Sequence, residues 1–184
     1  MSYYYTVAAL PTLRLGEKVP ISEEEFLQFA EDTLKEEDYQ ILLKSRLDSF
    51  EPTGSVFADS ILSWEKELRL ELAKERLAKL DFEPPHGLPE SDGRDVLTEQ
   101  VRTALSIGQP LEAEIFLNKL RWDYLEEKKG SHFADLEALI VYYFKLQIAL
   151  RQEKFQKEAG RQVFEKEYCA VKRAISNYGE GEIE

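Results

Sequence analysis

From Ser55 to about Leu80, the large apolar residues fall at Phe57, Ile61, Trp64, Leu68 and Leu72, a spacing of three or four positions kept up throughout. That period lines all five along one face of an α-helix; a strand would alternate its faces every second residue. A helix with one such stripe must bury it against other elements, so the rest of the chain has to supply them. The same period recurs elsewhere. Asp95 can cap a helix running to Ile107, with Val96, Leu97, Val101, Ala104 and Leu105 as its inner face. Gly108 ends that helix, Pro110 suits the first turn of another reaching about Lys129, and Gly130 breaks it. Ser22 and Glu25 have the spacing of a capping box, and Ile21 with Phe26 that of a hydrophobic staple. Glu36, Glu37 and Asp38 suit the positive end of a helix from Glu36 to Leu47. The segment from Asp135 to about Tyr178 reads as helix throughout, with Gly160 a bend or break.

Tyr3, Tyr4, Tyr5, Thr6 and Val7 favour a strand by propensity, yet no second strand follows to pair with it. Unpaired strand backbone is costly, so residues 1–20 are expected to form a short helix or an extended arm across the core. The fold class expected is all-α, a bundle of about 6–7 helices with a long C-terminal helix. With 184 residues, 43% of them hydrophobic, the chain suffices for one helical domain. Pro84, Pro85, Gly87, Pro89 and Gly93 crowd the loop 83–93, so two helical halves, 1–82 and 94–184, are the other organisation.

The net charge of −12 repels phosphate backbones and anionic lipid heads, so nucleic acid is not expected as a partner. The longest apolar run, Ala138 to Phe144, stops at Lys145, short of the roughly 20 residues of a membrane span, so no direct membrane insertion is expected. The N-terminus shows no signal-peptide pattern, and the single Cys169 has no internal partner, which favours a cytoplasmic location. Cys169 sits beside Glu167 and Tyr168 and reads as a helix residue rather than a reactive thiol.

Residues with recognisable catalytic chemistry are sparse. His86 and His132 both fall in expected loops, and Glu83-Pro84-Pro85-His86 has a metal-site spacing that its prolines prevent from being helical. A glycine-rich phosphate loop, a nucleophile elbow and a zinc-binding Cys/His array are all missing. No catalytic residue, cofactor or metal is therefore expected. Glu112 and Glu114 point to different sides of a helix, which weakens an acid/base pair.

Two clusters mix charge with large aromatics. One is Trp64 and Glu65 with Leu68, Arg69 and Arg76; the other is Glu112 and Glu114 followed by Arg121 and Trp122. Glu114 and Arg121 share a face over two turns. The clusters have two readings: a pocket or partner groove lined by hot-spot residue types, or an ion-pair network that fixes how the helices pack.

Together with Tyr3-Tyr4-Tyr5 and Ala9-Leu10-Pro11, three further stretches carry a family resemblance. They are Trp64-Glu65-x-x-Leu68-Arg69, Pro110-Leu111-Glu112-Ala113-Glu114 through Leu120-Arg121-Trp122, and Tyr143-x-Lys145-Leu146-Gln147-Ile148-x-x-Arg151. In order and spacing they resemble a bacterial family encoded among the genes of V/A-type ATP synthases. The resemblance implies a non-catalytic part with V/A-type ATPase subunits as partners: a short counterpart of the all-helical C/d subunit, an assembly factor or a peripheral-stalk piece. Such a part would sit in the cytoplasm, held at the inner face of the membrane through the complex. Contacts are then expected at the aromatic N-terminus and at Trp64, Arg69, Arg121 and Trp122. A stand-alone helical adaptor is the alternative, and an enzyme with a carboxylate-rich pocket between helices a second one.

Overall fold

Local signals place the helix starts. At Ser22 the hydroxyl accepts from the Glu25 N–H at 3.2 Å, and the Glu25 carboxylate accepts from the Ser22 N–H at 2.8 Å. This reciprocal cap opens α2, Glu23–Thr33, and Ile21 packs onto the core that contains Phe26. Ser55 caps α4, Val56–Lys79, and the Asp135 carboxylate caps α7, Leu136–Glu153, accepting from the Ala138 N–H at 3.0 Å. Pro110 takes the first position of α6, Pro110–Lys129, and Gly130 at φ 45° closes it in a conformation glycine adopts without strain. Completing the set are α1, Tyr4–Ala9, α3, Glu36–Lys44, and α5, Asp95–Ser106.

These seven helices come from a computed structural model that describes residues 3–81 and 95–155; among the described residues there is no strand. The protein is an all-α helical bundle. The loop 83–93, with His86, lies outside the described residues, as does Cys169.

Two helix ends differ from the sequence reading, while the N-terminal residues take one of the two forms expected of them. Of the short helix and the extended arm expected at the strand-prone N-terminus, the short helix is present, anchored where the Tyr3 N–H finds the Ala134 carbonyl at 2.5 Å and the Tyr3 hydroxyl finds the Asp38 carboxylate. Helix α3 stops at Lys44 rather than Leu47. The Ser45 hydroxyl turns back onto the Ile41 carbonyl at 2.8 Å, and Gln147 of α7 then takes the exiting backbone. Its amide donates to the Ser45 carbonyl at 3.0 Å and its oxygen accepts from the Leu47 N–H at 2.9 Å. The long C-terminal helix ends at Glu153, where the chain turns and Phe155 comes to lie beside Gly16 and Ile115. The remainder of that expectation, residues 156–178, lies outside the described residues.

Helix α7 is the axis of the bundle, with ten buried residues among its eighteen. Around it Phe26, Leu42, Ile61, Leu125, Tyr143 and Phe144 form the larger core. A second core joins Trp64, Leu68 and Leu72 of α4 to Leu97, Val101 and Ala104 of α5 and Leu117 of α6. Both cores draw residues from either side of positions 82–94, and Tyr124 touches both.

Candidate functional site

The mixed-charge clusters of α4 and α6 meet at the seam between the two cores. Glu65 faces inward and is 1% exposed. Its Oε1 accepts from Arg69 Nε at 2.7 Å and from Arg121 Nη2 at 3.1 Å, while Oε2 accepts from Arg121 Nε at 2.8 Å. The pairing with Arg121 is side-on and bidentate, the strong geometry for a guanidinium and a carboxylate. Arg69, half in solvent, also donates to the Leu47 carbonyl at 2.8 Å and lies over the Phe50 ring, so one carboxylate ties α4 to α6 and to the strap after α3. Beside this knot Trp64 stacks on Tyr124, with centroids 4.0 Å apart and planes 7° from parallel.

The other candidates lie elsewhere. Glu114 does not pair with Arg121; it accepts from Arg151 Nη2 at 2.8 Å and lies 3.9 Å from Arg76 Nη2, at the outer end of the seam. Glu112 is exposed. Trp122 turns to the larger core, where its ring meets the Lys145 ammonium. The structure therefore joins Glu65, Arg69 and Arg121, pairs Arg76 with Glu114, and leaves Glu112 and Trp122 out of the knot. Glu71 and Glu75, a repulsive spacing within α4, are separated by partners from α5. Thr98 donates to Glu71 at 3.0 Å, and Arg102 to Glu75 at 2.8 Å.

With both oxygens of Glu65 engaged by guanidinium donors, the knot serves to set helix geometry. The cost of burial shows at its edges. Among the described residues, Arg121 Nη1 and Asn118 Oδ1 are buried without a hydrogen-bond partner.

Two features carried no clear signal in the sequence. His132, Asp135 and Glu137 bring ligand-type atoms within 4.8 Å of one another. Asp135 is already occupied, capping α7 and lying 2.6 Å from His132 Nδ1. Burial raises the Asp135 carboxyl, but the His132 ring and the Ala138 N–H outweigh it and hold the group below the usual carboxylate range. The positive end of a helix disfavours a cation there. The second feature is Lys145, a buried cation on α7 that pairs with Glu126. Its trace in the sequence was one lysine in a stretch from Ala138 to Ala149 whose only other strongly polar residue is Gln147.

Neighbouring tyrosines predict an alkaline limit to stability. Burial pushes the Tyr142 phenol up to about 12, and burial together with the Glu23 carboxylate pushes Tyr143 up as well. The unfolded chain loses these protons near pH 10, before the folded one does, so their contribution is intact below pH 10 and declines as pH rises towards 12. Urea midpoints are expected to fall over that window, and less steeply in Tyr142→Phe. Identical slopes for the two proteins would exclude Tyr142 as a source.

Among the described residues no helix is long and apolar enough to cross a membrane. Neither a protein-family model, nor a curated protein, nor a solved structure matches the chain.

Proposed function

We propose that the chain is a non-catalytic helical accessory or stalk-like subunit of a V/A-type ATP synthase, coupling or assembling its soluble and membrane sectors from the inner face of the membrane. The observation that carries an interaction role is the aromatic end of the bundle. Tyr5 is 87% exposed, Phe133 69% and Tyr4 64%. The hydrogen bond from the Tyr3 N–H to the Ala134 carbonyl brings these residues to the same end. Large aromatics grouped in solvent forgo burial, and they are the residue types that anchor protein interfaces. The choice of partner rests on the family resemblance, and the acidic surface supports docking onto basic subunit patches.

A tagged copy recovered from native membranes is expected to bring down catalytic, shaft and membrane-ring subunits in stoichiometric amounts. Tyr5→Ser combined with Phe133→Ser should reduce that recovery about tenfold or more, while the helical circular dichroism stays unchanged. Recovery of no ATPase subunit, under conditions that keep the enzyme intact, would remove the stalk reading. The aromatic end would then favour a stand-alone adaptor.

A further inference from the structure

Lys145 sits where a lysine is least at home. It is the one charged residue among the ten buried positions of α7, and its side chain is 8% exposed. Its ammonium meets the Glu126 carboxylate and lies 4.8 Å from the centre of the Trp122 ring. An ammonium has three donors, and one carboxylate and one ring face leave capacity for another partner.

Together with Glu126, Lys145 lines a half-open cavity of about 230 Å³ between α6, α7 and the segment after α1. Leu10, Leu13 and Val141 supply apolar walls, and Lys129 adds a second ammonium. The Tyr142 hydroxyl, donating to the Pro11 carbonyl at 2.9 Å, fastens the covering segment. Burial pushes the Lys145 ammonium below its usual range; Glu126 opposes this, and repulsion from Lys129 adds to it. Two ammoniums face one carboxylate, which leaves a single positive charge in a protein whose net charge is −12.

We infer that this cavity binds a small monocarboxylate with a short apolar tail, its carboxylate bridging Lys145 and Lys129 and its tail lying on Leu10, Leu13 and Val141. The space suits the ligand, since a dry cavity of about 150 Å³ already holds benzene. A monoanion matches the single excess charge, and the apolar walls select against a fully hydrated ion. Glu126 is the internal competitor. It is 53% exposed and can turn to water when the ligand arrives.

Hexanoate titrated into the full chain tests this, followed through the Trp122 indole N–H by NMR, with hexylammonium and 1-hexanol as charge-reversed and neutral controls. Hexanoate is expected to give a saturable shift of Trp122, and hexylammonium none. Lys145→Met should weaken hexanoate about tenfold, and Glu126→Gln should tighten it about threefold by removing the competitor. A lysine with a purely structural role gives no tightening in Glu126→Gln. Equal binding of the three probes, no shift at Trp122, or an unchanged affinity in Glu126→Gln would each overturn the inference. Should Lys145→Met fail to fold, Glu126→Gln decides alone, because that side chain lies at the surface.

Discussion

Replacing Glu65 with Leu is expected to lower stability by about 4–5 kcal/mol, and replacing Arg121 with Met by about 3 kcal/mol, although neither residue belongs to the apolar core. The asymmetry follows from what each change leaves behind. Without Glu65, the Arg121 guanidinium, 6% exposed, stays buried with no carboxylate. Without Arg121, Glu65 keeps Arg69 at 2.7 Å, so its charge is still partly met. Arg69→Met should cost only about 1 kcal/mol, because the Arg69 side chain is 41% exposed and the bidentate pair survives it. The double substitution Glu65→Leu with Arg121→Met should return to within about 1 kcal/mol of the parent, since a buried pair is often replaceable by apolar residues of similar volume. It also removes the buried Arg121 Nη1 that has no partner among the described residues. Urea unfolding followed by circular dichroism measures the set. If Arg121→Met cost less than about 1 kcal/mol, or the double variant were as unstable as the sum of the singles, the knot would not be a desolvated, coupled unit.

That coupling marks the boundary of what the sequence could show. The i,i+4 relation of Glu65 and Arg69 was legible because helix geometry alone brings such residues together. The bidentate partner was not, because Arg121 lies 56 positions away and its approach depends on how α6 crosses α4. Glu114 shows the same limit in reverse. Its spacing placed it on the Arg121 face, but its partners come from α4 and α7, which local periodicity does not reach. Of the two readings of these clusters, the pairing of Glu65, Arg69 and Arg121 favours the packing network.

Helix starts were legible for the opposite reason. Ser22, Ser55, Pro110 and Asp135 act through atoms within three residues of themselves, so short-range chemistry fixes them. Helix ends and the N-terminal arm answer to distant partners. Gln147 reaches Ser45 and Leu47 across about a hundred positions and draws the chain out of α3 before the periodicity runs out. The Tyr3 bonds to Ala134 and Asp38 override a strand propensity that is weak without a neighbouring strand. The burial of Lys145 was not legible because a single lysine in a largely apolar helix normally snorkels to the surface, and only the packing of α6 and the arm over α7 closes it in.

Phe26→Ala is expected to destabilise the protein by about 3–5 kcal/mol, and it tests whether the short helix α2 is seated on the axial helix. Phe26 is fully buried, and its ring lies 5.3 Å from those of both Tyr142 and Tyr143, with interplanar angles of 30° and 20°. Truncation removes the ring's transfer energy and its contacts with both tyrosines, and it leaves a void that the backbone of α7, buried nearly all round, cannot collapse to fill. Phe26→Leu keeps most of the volume and should cost about 1–1.5 kcal/mol. Tyr143→Phe loses only the hydrogen bond from its hydroxyl to Glu23 at 2.8 Å, about 1 kcal/mol, because Glu23 is partly exposed and can turn to water. The predicted order is therefore Phe26→Ala well below the other two, a drop of about 6–20 °C in melting temperature for a chain of this size. If Phe26→Ala instead matched Tyr143→Phe, α2 would be held by its cap and by the Tyr143 and Arg46 contacts to Glu23 rather than by its aromatic face. Because Tyr142 also fastens the segment over the Lys145 cavity through Pro11, a stable Phe26→Leu variant that still binds hexanoate would separate the support of that ring from the ligand site itself.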